Sequence, residues 1–299
     1  PLWSRGLGDV YKRQPLILHI SKREELDAIA ARIPETAEKL MDAFWPGPMT
    51  LIFEKTKAVP YETTGGLDTV AVRMPSHEGA RQLIESAGVP VAAPSANTSG
   101  RPSPTTAEHV KEDLWGRIDM IIDGGLVGIG VESTIIDVTE ETPTILRPGH
   151  ITKNMIAKVI GTVQMDAGLS GLDQSVKPKA PGMKYRHYAP KASMTVIQGK
   201  KEAVIRRIEE LAAEYPKEKV GILAADETLS CYTHGQVVSA GSRNEHTIEQ
   251  GLYRALREFD HMGVSVIFSE SFADDDRSEA IMNRLLKAAG QKIEYLSDK

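Results

Sequence analysis

VAAPSANTSGRPSPTT, from Val91 to Thr106, decides the first question about the fold. It opens as a short apolar strand and breaks at Pro94 into a loop of Ser95, Asn97, Thr98, Ser99, Gly100 and Ser103. Small polar residues on a loop after a strand let backbone and hydroxyl groups come close to a ligand. Open α/β sheets bind ligands at that end of their strands. A serine-rich surface turn has the same composition. A site is the better reading because similar segments recur further along the chain.

Working outward, strands and helices of a mixed α/β domain surround this loop. Pro15 to Ile20 reads as a strand, and Ser21 with Glu24 as a capping box for a helix to about Arg32. Pro34 starts a second helix that runs to about Phe44. Met49 to Phe53, Thr69 to Met74, IDMIID (118–123), STIIDV and TILRP read as further strands, with helices over His77 to Ser86, Thr106 to Leu114 and Ile151 to Ile160. From Val163 periodicity gives way to Gly, Pro, Lys and Ser, the mark of a linker. From Met194 strands and helices alternate through VGILAA, QVVSA and VSVIFSE, which predicts a smaller, parallel, Rossmann-like sheet. The expected organisation is residues 15–162 as the first domain, 163–193 as linker and 194–299 as the second domain. PLWSRGLGDVYKRQ (1–14) has no apolar periodicity and is similar to a translated sequencing adaptor, so it reads as a non-native leader outside the fold.

Bulk properties exclude several classes. The 299 residues are 41% hydrophobic and 26% charged, as in a globular protein, with no apolar run of membrane-spanning length. A net charge of −5 gives no overall footprint for duplex nucleic acid. The one cysteine, Cys231, suits a reducing, cytoplasmic setting. Neither a Walker loop nor a Cys/His metal spacing is present.

Four segments carry candidate chemistry. Thr63–Pro75 puts Arg73 near a strand end, where its planar fork suits a carboxylate or phosphate. Gly124–Val138 is a glycine loop leading to Ser133 and Thr134, and such loops cradle anions through backbone N–H groups. Ile145–Gly149 sets Arg147 beside a proline turn. Ala180–Pro190, in the linker, packs two tyrosines, a histidine, an arginine and a lysine into eleven residues, which suits a strap lying across a site. Asp274, Asp275 and Asp276 read as helix-capping residues, His109, His246 and His261 as helix-surface residues, and Trp45 and Trp115 as packing residues.

Taken together, PLILHI, PGPMTLI, GGLDTVAVRMP, AAPSANTSGRPSPTTAEHV, GVESTIIDV, ILRPG and PGMKYRHYAP resemble the threonylcarbamoyl-AMP synthase family in its long form, a YrdC-like domain joined to a smaller C-terminal domain. The resemblance implies a transferase that makes threonylcarbamoyl-AMP and pyrophosphate from L-threonine, bicarbonate and ATP. A threonylcarbamoyl-transferase complex then passes the group to an adenosine beside the tRNA anticodon. It implies threonine-binding roles for His19, Arg73, Ala93 and Ser133, and ATP-binding roles for Thr69, Ser95, Asn97, Ser103, Arg147 and Tyr188. Mg2+ is expected on the ATP phosphates, and no covalent nucleophile is needed, since such transfer rests on positioning and charge stabilisation.

The family's opening segment, with its Lys-x-Arg pair, has no counterpart in the chain; Lys12 and Arg13 have the wrong spacing. Weak synthase activity and uncovered apolar surface are therefore expected. Two other readings compete: a non-catalytic RNA-binding module of YrdC-like fold, and a carbamoyl-transfer domain of a maturation factor. The single cysteine speaks against the last, which needs zinc-binding cysteines.

Overall fold

Alternation along each strand sorts side chains onto the two faces of the first sheet. The structure is a computed structural model that describes residues 15–170, 188–244, 247–273 and 278–297. In chain order the first elements are Ile17–His19 (β1), Leu26–Ile29 (α1), Glu35–Phe44 (α2), Met49–Glu54 (β2), Tyr61–Thr64 (α3), Thr69–Arg73 (β3), Glu78–Ala87 (α4) and Val91–Ala93 (β4). Ala107–Leu114 (α5), Thr134–Asp137 (β5), Thr144–Arg147 (β6), Lys153–Ile160 (α6) and Gln164–Met165 (β7) follow. The strands form one mixed sheet in the order β4-β1-β3-β2-β5-β6-β7.

One face of that sheet is the main core. Leu18, Leu51, Phe53, Val70, Val72, Ile136 and Ile145 pack there against Leu40 and Met41 of α2 and Ile156 of α6. The residues between them, Ile17, Ile52, Ala71, Ile135 and Leu146, make a much smaller cluster on the opposite face. Burying a side chain of this size contributes roughly 1.5–3 kcal/mol, so the large cluster fixes the register and thereby dictates what the other face presents. A bulge refines this. Ile145 pairs with Ile136 and Arg147 with Ile135, so two steps of β6 face one step of β5, and Leu146 and Arg147 share the second face.

Ser193–Gln198 (β8), Lys201–Ala212 (α7), Val220–Ala225 (β9), Gln236–Gly241 (β10), Ile248–Met262 (α8), Val266–Glu270 (β11), Ser278–Ala288 (α9) and Ile293–Tyr295 (β12) complete the chain. Their strands are all parallel, ordered β10-β9-β11-β8-β12. Val204 and Ile208 of α7 pack on one face, and Leu252, Leu256 and Phe259 of α8 with Leu285 of α9 on the other.

By contacts the chain divides differently from the sequence-based scheme. Ala96–Val131 clusters with the C-terminal sheet rather than with the sheet that precedes it. A buried charge pair contributes to this grouping. Arg257 of α8, fully buried, donates from Nε and Nη2 to the Pro102 carbonyl at 3.1 and 2.7 Å, and from Nη2 to Asp113 at 2.9 Å. Asp113, also buried, accepts from the Thr98 N–H at 3.1 Å and from Arg101.

Several expectations need correction. Ser21 is bonded by Glu25, not Glu24: Glu25 Oε1 accepts from the Ser21 N–H and Oγ. The first helix stops at Ile29 because Ala30 bridges to Lys55. Residues 118–123 form no strand, since neither sheet offers them a ladder; Met120 and Ile122 stand 74% and 69% exposed. Trp115 is exposed, whereas Trp45 is buried and donates to the Met49 carbonyl at 2.8 Å. His109 is buried rather than on the helix surface, and its Nδ1 accepts from the Thr105 N–H at 3.2 Å. β12 and α3 were not expected from the sequence. Residues 1–14, most of 180–190, His246 and Asp274–Asp276 lie outside the described residues.

Candidate active site

The second face of the first sheet gathers polar side chains around its small cluster. His19 pairs with Arg73 across β1 and β3, and Val91 with His19 across β4. Thr50 is on the same face of β2 as Ile52 and pairs directly with Ile135 of β5. Ser133 immediately precedes β5, and the bulge turns Arg147 toward it.

Hydrogen bonds hold these groups in place. Arg147 donates from Nε and Nη2 to the Ser133 carbonyl at 3.0 and 2.9 Å, and from Nη2 to Ser133 Oγ at 3.1 Å. Ser133 Oγ lies 2.7 Å from Thr50 Oγ1, both buried. Arg73 donates from Nε to the Gly47 carbonyl at 3.0 Å. Gly47 is required there, because a Cβ would come 2.2 Å from the Phe44 carbonyl oxygen. Behind the site, Gly149 approaches the Thr134 backbone so closely that a Cβ would lie 2.5 Å from its nitrogen.

Two arginines dominate the electrostatics of this end of the face. Arg73 is lowered to about 10, first by burial and then by the neighbouring charge of Arg147. Among the described residues no carboxylate pairs with Arg73. Two guanidinium groups held near each other in a partly desolvated setting repel, and an anion between them relieves that cost. His19 is pushed down to about 4, chiefly by burial and then by Arg73. The Val91 and Ile17 carbonyls act weakly in the other direction, and Nδ1 reaches no partner at hydrogen-bond geometry. At neutral pH, His19 is thus an uncharged polar group beside a cation.

This carries a stability consequence. Between about pH 6.5 and 4 the unfolded chain binds a proton at His19 that the folded chain rejects. Stability contributed by neutral His19 is complete above 6.5 and is lost as pH falls toward 4. The loss is at most about 3 kcal/mol. Denaturant melts at pH 7, 5.5 and 4 should show that slope in the parent and a flatter one in His19→Gln; equal slopes would remove His19 as the cause.

The structure gathers some of the sequence-predicted residues and separates others. His19, Arg73, Ser133 and Arg147 share one end of the face. Ala93 pairs with Ile17, two steps further along, and Thr69 lies at the opposite end of β3, about 13 Å from Arg73 along the strand. Ser95 follows beyond Ala93 and is exposed. The residues singled out in the sequence are therefore spread along a sheet face and not only at strand ends. Asn97, Ser103 and Tyr188 belong to the second compact unit. Asn97 uses its amide nitrogen on the Thr98 and Arg101 carbonyls at 2.9 and 3.2 Å, tying the loop. The Tyr188 ring is buried against Tyr253, centroids 5.1 Å apart, with its backbone at φ 67°. Thr50 was missed; its signal was a hydroxyl in phase with Ile52 in the otherwise apolar MTLIF.

These features define a two-domain α/β protein whose mixed sheet carries His19, Arg73, Ser133 and Arg147 on its second face. Residues 9–149 match the Sua5_yciO_yrdC family, described as telomere recombination, and 151–290 match Sua5_C, the threonylcarbamoyl-AMP synthase C-terminal domain. The chain is 49% identical to a threonylcarbamoyl-AMP synthase of Pyrococcus abyssi over 93% of its own length and 81% of that protein. It is 49% identical to the Bacillus subtilis enzyme of the same name over 93% and 80%. The crystal structure of P. abyssi Sua5 complexed with L-threonine superposes with a TM-score of 0.90 at 48% identity, covering 96% of this chain and 83% of that one. The chain belongs to the threonylcarbamoyl-AMP synthase family.

Proposed function

We propose that this chain is an L-threonylcarbamoyladenylate synthase, joining L-threonine, bicarbonate and ATP into threonylcarbamoyl-AMP with release of pyrophosphate. The observation that carries it is one sheet face on which His19 pairs with Arg73 and Arg147 holds the buried Ser133 hydroxyl beside Thr50. Arg73 takes the amino-acid carboxylate, with neutral His19 and Ser133 beside it. Arg147 takes phosphate oxygens. The threonine amine captures bicarbonate as a carbamate, losing water; a carbamate oxygen bonds to the α-phosphorus as the bond to pyrophosphate breaks. The side chains here position and neutralise charge, and no residue forms a covalent bond.

Mg2+ belongs with the triphosphate in this reading. Among the described residues no three His, Cys, Asp or Glu side chains group as a metal site, and Mg2+ commonly binds through substrate phosphates while keeping several waters. When bound, it neutralises phosphate charge. The product serves transfer to an adenosine of tRNA by a separate complex. No helix among the described residues is long and apolar enough to cross a membrane.

Calorimetry tests the assignment. L-threonine should bind the parent chain, and Arg73→Ala should weaken it about 10- to 100-fold, the worth of charge-assisted hydrogen bonds. Tight tRNA binding with a steep salt slope and no heat from threonine or ATP would favour the RNA-binding alternative instead.

A further inference from the structure

The second unit contains a cavity that the proposed synthesis does not use. Its volume is about 610 Å³, and its lining includes Lys200, Lys201, Arg243, Tyr295 and Leu296. That volume suits a small-molecule ligand. The cavity sits at the carboxyl ends of parallel strands: Gln198 closes β8, Glu270 closes β11 and Tyr295 closes β12, and all three line it. From β8 the chain crosses to β9 on one side of the sheet, and from β11 to β12 on the other. The connections therefore reverse between two neighbouring strands, the place where open parallel sheets hold ligands.

The charges in this cavity point to an anion. Its two carboxylates are already engaged. Glu227 accepts from Ser242 Oγ at 2.6 Å and from the Asn244 N–H at 3.0 Å; Glu270 accepts from the Tyr232 hydroxyl at 2.8 Å and from Arg243 at 3.0 Å. Lys200 and Lys201 stand at the start of α7, which has no side-chain cap. Lysines there oppose the helix dipole and supply no oxygen to cap the first N–H groups, so both the side chains and the backbone at this helix start favour an anion. Among the described residues Lys201 forms no ion pair. Tyr295, 69% exposed, offers a flat face on the same rim, with Leu296 and Val204 as apolar wall.

We propose that this cavity binds a phosphorylated small molecule of nucleoside-monophosphate size, its phosphate at Lys200 and Lys201 and its ring on Tyr295. None of the substrate groups assigned above lines this cavity.

Photo-crosslinking the full chain with 8-azido-AMP, followed by peptide mapping, tests this. Label is expected on the peptide that carries Tyr295, with inorganic phosphate competing and adenosine not. Lys201→Glu should reduce that label at least tenfold while leaving the melting temperature unchanged or raised, because glutamate suits a helix start. Pyrophosphate release, where measured, should be unchanged. The proposal is overturned by no label at Tyr295, by equal label in Lys201→Glu, or by adenosine competing as well as phosphate does.

Discussion

Arg147→Ala is expected to weaken ATP binding by about 10- to 150-fold, with relative synthase turnover falling further, by about 100- to 1,000-fold. The first figure is the loss of charge-assisted hydrogen bonds; the second adds charge stabilisation that operates as pyrophosphate leaves. Arg147 is 4% exposed and holds both the carbonyl and the hydroxyl of Ser133. Its removal therefore takes away a cation and loosens the neighbouring hydroxyl at once. Arg147→Lys keeps the charge but cannot span the two oxygens, so it should restore part of the binding and little of the turnover. Threonine binding supplies the control: it should drop less in Arg147→Ala than in Arg73→Ala. If both arginines affect threonine and ATP equally, the division of labour between them is wrong.

A second large effect should come from a residue far along the chain. Arg257→Ala is expected to destabilise the protein by about 3–5 kcal/mol, a fall of roughly 10 °C in melting temperature for a unit of this size. Arg257 is fully buried, and its removal strands the Asp113 carboxylate inside the protein. Arg101 remains to hold Asp113 from one side, so the loss sits toward the lower end. Asp113→Ala should cost a similar amount, and the double variant less than the sum, because the second change no longer leaves a charge unpaired. Thermal and denaturant melts of the three variants check this. A melting temperature within a degree of the parent for Arg257→Ala would show that the pair contributes little.

Much of the fold was legible because strand and helix periods leave direct marks. MTLIF, TVAVR and VGILAA are apolar runs of strand length and form β2, β3 and β9. Thr106 and Thr152 cap α5 and α6, each accepting from the N–H three residues on. IDMIID has the same apolar character and forms no strand, because a strand also needs a neighbour to complete its ladder, and pairing is not written in local composition. In the same way a histidine in a helix reads as a surface residue until a loop such as Thr105 closes over it.

The candidate site was legible in kind and incomplete in arrangement. Arg73, Arg147, Ser133 and His19 stand out as polar residues at strand boundaries, and the structure gathers them. Thr69 lies in phase with Arg73 on β3 and yet a strand's length away, which a reading by strand ends does not convey. Asn97 and Tyr188 show a different limit. Both look exposed in a polar, turn-rich stretch, but one ties its own loop and the other packs on Tyr253.

Residue order alone specified the α/β class, the strand and helix periods, and the inventory of cations and hydroxyls, since these depend on neighbours within a few residues. Folding in three dimensions settled which sheet face gathers the polar groups, how the bulge at Leu146 turns Arg147 onto Ser133, and that Asp113 meets Arg257. Those outcomes depend on register and on pairing between groups up to 144 residues apart, where burial, not local propensity, determines the energy.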